Sequence, residues 1–208
     1  MNRLLSLIMM IMLVVPAMSQ IKDRDFKTKL KYAKKEAKEY ENAGWYVAPG
    51  DLPLEKQLEG NYTKALEEDD NGFPKYLVAS GNALAGTQSA AKMQATELAK
   101  LELAGQLSSQ IAATIDNQVA NNQLNSEEAA TLQKMVAASK NVVATKLGRV
   151  ITMVEMYKKD SKTKNVECAV RIGYSQEMAR KMALEAMQGQ LQGEANIAAD
   201  KLEKLFGF

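Results

Sequence analysis

The chain has no histidine and one cysteine, Cys168, in 208 residues. Without histidine there is no imidazole base, no imidazole metal ligand and no Ser-His or Cys-His nucleophile pair. A single cysteine excludes an intramolecular disulfide and a thiolate cluster. Proline occurs 4 times and tryptophan once, at Trp45. No apolar run reaches the roughly 20 residues that a membrane-spanning helix needs. Neither sign of charge dominates, with 27 Lys and Arg against 25 Asp and Glu. A nearly neutral chain has no global electrostatic reason to bind nucleic acid. Nearly every acid falls on an expected helix surface or in a polar loop, with no pair of acids on an apolar background. We therefore assign no catalytic, cofactor-binding or metal-ligating residues and expect no cofactor.

What is present begins at the N-terminus. Leu4–Val15 is apolar except for Ser6, Arg3 precedes it, and Ala17 and Ser19 put small residues just before Gln20. This three-part layout predicts a secretory signal peptide over residues 1–19. The mature chain then starts at Gln20 and works outside a bacterial cytoplasm, in the periplasm or secreted, with outer-membrane association open. It keeps 189 residues and a net charge of +1, enough for one domain with a substantial core. Cys168 lies far from the cleavage site, so it is not a lipid-bearing N-terminal cysteine.

Periodicity organises the rest into an N-terminal helical arm (20–72), an α+β domain (73–188) and a C-terminal helical tail (189–208). Phe26, Leu30, Ala33, Ala37 and Tyr40 make one stripe of a helix over 22–42. Its eight bases and five acids interleave along the sequence, which reads as a solvated face rather than a surface for anionic lipid or glycan. Gly44–Gly50 breaks this helix, with Trp45 and Tyr46 on a loop. Leu54, Leu58, Tyr62, Ala65 and Leu66 mark a second helix over 53–68, with Asp51 as its cap. A strand is expected at 75–83, then a long helix from 87 to 121. Leu98, Leu101, Leu107, Ile111, Ile115 and Val119 form its apolar stripe; Lys92, Lys100 and Glu102 should face water. Ala90, Ala91, Ala95, Ala99 and Ala104 keep one face narrow for close packing. Another helix starts near Ser126. Strands at 147–158 and 165–174 form an antiparallel hairpin. In the second, Val166, Cys168, Val170 and Ile172 alternate with Glu167, Ala169, Arg171 and Gly173, a pattern with one wet face. Ser175 caps a last helix carrying Met178, Met182, Ala186 and Met187. Leu202, Leu205, Phe206 and Phe208 give the tail an apolar character. The expected fold class is α+β: a small antiparallel three-stranded sheet against long helices, with an N-terminal helical arm.

Several motifs have a chemical and a structural reading. Gly81 and Gly86 stand five apart between a strand and a helix, the outline of a phosphate loop. Thr87 occupies the place of the required lysine, so a tight strand-to-helix turn accounts for it better. Glu67–Gly72 is acidic but lacks the alternating ligands of a calcium loop and reads as a connector. Asn61-Tyr62-Thr63 matches a glycosylation triplet, a pattern frequent by chance. The methionines of the last helix fill a core or form an adaptable surface.

Tyr76-Leu-Val-Ala-Ser-Gly81-Asn-Ala83, followed by Ala91, Ala95, Leu98, Ala99 and Leu103, then a hairpin and a closing helix, resembles the lipoprotein-twenty (LPP) family of bacterial envelope proteins over residues 74–188. It is also similar to the related N-terminal domain of a flagellar assembly protein. The lipid-attachment cysteine is missing here. The resemblance implies a small α+β envelope domain without catalysis and names no ligand. The expected function is thus that of an exported, non-enzymatic envelope protein. It would act through contacts with another envelope protein or a cell-surface component. Two other classes have distinct requirements. A carrier of a small apolar ligand, suggested by twelve methionines and the alanine face, needs a helix–sheet cavity. A hydrolase needs two acids converging in a cleft. Sequence leaves the oligomeric state open.

Overall fold

The computed structural model describes residues 15–70 and 72–190. The predicted leader up to residue 14 and the apolar tail from Leu202 to Phe208 lie outside them. In chain order the elements are α1 (Val15–Asn42), β1 (Trp45–Tyr46), α2 (Leu54–Ala65), β2 (Tyr76–Ala85) and α3 (Gln88–Ala120), followed by α4 (Ser126–Lys146), β3 (Ile151–Lys159), β4 (Val166–Ser175) and α5 (Gln176–Gln190).

The fold is α+β, but its antiparallel sheet has four strands, in the order β1-β3-β4-β2, rather than the expected three. The extra strand is the Trp45–Tyr46 pair assigned to a loop. Trp45 pairs with Lys158 and Tyr46 with Tyr157. Two residues are too short to show alternation, so no sequence period marks them. Their place is fixed by tertiary contact. Gly44, at φ +89, turns the chain out of α1. Trp45 then meets Tyr40 edge-on at 6.3 Å and Tyr46 lies 6.1 Å from Tyr157.

The sheet is covered on both faces. On one, Leu77, Ala79, Tyr157, Cys168, Val170, Ile172 and Tyr174 pack against α3, with α4 and α5 in the same core. On the other, Val154 and Met156 pack with Ala33, Ala37, Leu54 and Leu58 of α1 and α2. The face of β4 expected to be wet is therefore partly covered, because the N-terminal helices lie across it. Met153 is the extra residue at a register shift in β3. Its side chain occupies the space above Gly173 that any larger residue there would fill.

The stripe of α3 also needs correcting. Ala91, Ala95, Ala99, Leu103 and Leu107 are buried, as are Ile111 and Ile115. Leu98 and Leu101 remain 47% and 40% exposed. The helix sits so close to β2 that only alanine fits beneath its first half, and this rotates those leucines outward. The closest approach is at Gly81, where a methyl group would overlap the Ala95 carbonyl oxygen and lie 2.7 Å from the Ala99 amide nitrogen. Gly81 is thus a mid-strand residue under a helix rather than part of a turn. Between α3 and β2 the backbones meet, with no room for a ligand at this crossing.

Local signals set the helix ends. The Thr87 side chain accepts from the Ala90 amide at the start of α3. Asn125 caps α4 in a reciprocal box with Glu128, which satisfies two end amides at once. Ser175 Oγ accepts from the Met178 amide at 3.4 Å. Pro53, not Asp51, precedes α2 and gives no side-chain cap.

Candidate functional site

Three features combine polar chemistry or exposed apolar area with a defined position in the fold. The first is centred on Glu155. It stands in the middle of β3 between Val154 and Met156 and is 8% exposed. Its carboxylate accepts from the Tyr157 hydroxyl at 2.5 Å and from Lys92 Nζ of α3 at 2.8 Å. Lys92, expected to face water, is half-covered instead and its pKa is raised by this bond. Cys168, opposite Tyr157 in the register, is fully buried, and burial pushes its thiol up to about 11. Burial, and then the bond to Glu155, also hold the Tyr157 hydroxyl well above its ordinary range. At neutral pH both groups keep their protons, so neither is poised as a nucleophile.

Below β1 the edge of β3 has no strand beside it. There the Gln57 side chain of α2 accepts a hydrogen bond from the Glu155 amide at Oε1, 2.7 Å away, and donates from Nε2 to the Leu52 carbonyl at 2.8 Å. One side-chain amide thus does what a neighbouring peptide group would do in a longer β1. A cleft of about 380 Å³ follows this edge, lined by Asp51, Gln57, Lys56, Lys64 and Met153 among others. Its cations are engaged: Lys56 with Glu59 at 2.7 Å, and Lys64 with Glu67 and the Tyr76 ring.

The second feature lies across the sheet. Arg171 of β4 donates to Glu36 at 2.6 Å and to Tyr40 at 3.2 Å, and the Tyr62 hydroxyl donates to Glu36 at 2.8 Å. Both charged side chains are about four-fifths covered. This network joins α1, α2 and the sheet, and its acid and base satisfy each other.

The third is apolar. Met93, Leu98 and Leu101 are 64%, 47% and 40% exposed on the outer side of α3. With Gln94 and Glu97 they line a shallow groove of about 490 Å³. Leu98 and Leu101 are neighbours at a spacing of three, and Met93 stands about two turns before Leu101, so all three border the same groove.

The motifs singled out in the sequence have structural places. Asn61 is 5% exposed within α2, so the glycosylation triplet is closed to modification in the folded chain. Its Oδ1 is buried without a hydrogen-bond partner among the described residues. In the acidic connector, Asp69 caps its own turn by accepting from the Phe73 amide at 2.9 Å. Met187 is buried, whereas Met178 is 45% exposed. Trp45 and Tyr46 are half-buried in the sheet rather than a loop platform. Sequence reasoning missed Glu155, although an acid inside the run Val150–Tyr157 is the signal that would have found it.

No family, no curated protein and no solved structure matches this chain. Among the described residues no helix is long and apolar enough to cross a membrane.

Proposed function

We propose that this is an exported, non-enzymatic protein of the bacterial envelope that acts by contact with another envelope protein. The observation that carries the contact is the Met93–Leu98–Leu101 flank of α3. Three large apolar side chains exposed together on a helix that buries its other leucines mark an interaction surface. The non-enzymatic reading is supported by the state of the buried polar groups. Glu155 is held by Tyr157 and Lys92, Glu36 by Arg171 and Tyr62, and the Cys168 thiol stays protonated. Export, to the periplasm or beyond with the outer membrane as a site of association, rests on the leader-like residues 1–19. The order β2, α3, α4, the β3–β4 hairpin and α5 contains the strand, long helix, hairpin and closing helix on which the resemblance to the LPP family rests, and it supports the envelope setting.

Two measurements test this reading. The N-terminus of the protein isolated from its source should be at or near Gln20, and an intact Met1 would refute export. For the contact, a photocrosslinker placed at Gln94 should join the protein to one envelope protein. Leu98→Ser combined with Leu101→Ser should abolish that adduct while leaving the thermal melt nearly unchanged. The same adduct from the double variant would remove the α3 flank as the contact surface.

A further inference from the structure

The bases and acids of α1 interleave in the sequence, but from Lys27 onward the exposed lysines gather on one side of the helix. Glu36 is turned inward onto Arg171 and Tyr62. Glu39 is taken up by Lys35 at 3.8 Å. What remains outermost is a ridge of exposed lysines at 27, 31, 34, 35 and 38. At 100° per residue these five fall within about a 100° arc that excludes the buried Ala33 and Ala37. The ridge runs about 17 Å along the helix. Lys34 lies 4.0 Å from Glu55 of α2 and Lys35 meets Glu39, while Lys27, Lys31 and Lys38 have no ion-pair partner among the described residues.

We infer that this lysine ridge is a docking face for an anionic membrane surface, with α1 lying along the plane of the headgroups. Charge complementarity carries the choice, and shape narrows it. The ridge is one helix wide and its flanks carry Glu39, Glu41 and Glu55. A nucleic acid or a flexible polyanion needs a basic groove with a second wall or stacking aromatics. A plane touches only the outermost line of a helix, which here is all lysine. The apolar face of α1 is spent on the sheet, so contact is electrostatic rather than insertive. This surface lies on the opposite side of the sheet from the α3 flank, and the inference stands or falls independently of the proposed protein contact.

The test is vesicle co-sedimentation of the full chain. Phosphatidylcholine vesicles with about half phosphatidylglycerol are compared with phosphatidylcholine alone. Any binding through the apolar residues 4–15 is common to both, so the readout is the ratio of the two affinities. The chain should prefer the anionic vesicles, and added salt should erase the preference. Each lysine near such a surface is worth about fivefold. Lys27→Gln, Lys31→Gln and Lys38→Gln together should therefore cut the preference about 100-fold. The corresponding arginine variant should keep it, which separates charge from folding. Lys134→Gln, Lys140→Gln and Lys146→Gln, on α4 across the sheet, should leave it unchanged. No preference in the unaltered chain, a preference surviving in the α1 glutamine variant, or an equal loss in the α4 variant would overturn the inference. Tight binding to heparin without vesicle binding would assign the ridge to a soluble polyanion and overturn it as well.

Discussion

Gly81 and Gly86 are identical residues five positions apart with opposite roles. At Gly81 the missing side chain lets α3 touch β2, and the atoms it would meet belong to the backbone of Ala95 and Ala99. A helix backbone cannot give way as a flexible side chain can. Gly81→Ala should therefore destabilise by about 3 kcal/mol or more, at the upper end of overpacking effects. At Gly86 nothing lies within 4 Å of an added methyl, and Gly86→Ala should stay within about 0.5 kcal/mol of the parent. Paired urea titrations decide the matter. Similar midpoints for the two variants would mean that α3 does not rest on β2 as described. Glu155 makes the same point for polar residues. An acid inside an apolar strand is costly to bury unless it is paired, and here Tyr157 and Lys92 supply both partners.

At the scale of elements, α3 shows how a helix with two apolar faces is sorted. Its alanines and its leucines each recur with helical spacing, and either set would serve as a core. The larger set appears the better hydrophobic stripe, yet over the first half of the helix the alanines are inside. Packing decides this, because the strand beneath carries Ala79, Gly81 and Ala83 and has no depth to receive leucine. Beyond Leu103 the helix leans toward α4, and Leu107, Ile111 and Ile115 become core. Leu107→Ala should therefore cost roughly 2–5 kcal/mol, as for a buried leucine. Leu98→Ala should cost less than about 1 kcal/mol, as for a surface substitution. Chemical denaturation of both checks the orientation, and equal losses would show that Leu98 is covered.

The whole molecule is a sheet between two helical layers, each tied down by a charged pair that reaches into it. Lys92–Glu155 fastens α3, and Glu36–Arg171 fastens α1. The buried groups around these ties also set the response to alkali. Burial pushes the Cys168 thiol up to about 11 from an ordinary 9.0 and, as the leading cause, holds the hydroxyls of Tyr62, Tyr157 and Tyr174 above their ordinary 10.0. Groups whose folded pKa is raised hold their protons more tightly when folded. Their contribution is complete below the unfolded pKa and is lost as pH climbs through the folded one. Tm should be level from about pH 7 to about 8.5 and fall through the window from about 9 to 11. A Tm that stayed level to pH 11 would show these groups to be free in the fold.

Sequence by itself determined the elements whose signal is local. Alternation at Val166, Cys168, Val170 and Ile172 marked β4, and Ser175 marked the start of α5 as its cap. Periodicity located α2 and the end of α1 to within a few residues, although α1 starts seven residues earlier than expected, and Ser126 with Glu128 marked the start of α4. Each of these depends on spacing within one segment, which the chain carries wherever it folds. Tertiary structure alone decided four other things: the pairing of Trp45–Tyr46 with β3, the second helical layer over β4, the face of α3 that turns inward, and the convergence of Lys92, Glu155, Tyr157 and Cys168. Each joins residues far apart in the chain. Which of two suitable faces is buried depends on the shape of the surface it meets, and that surface exists only once the chain has folded.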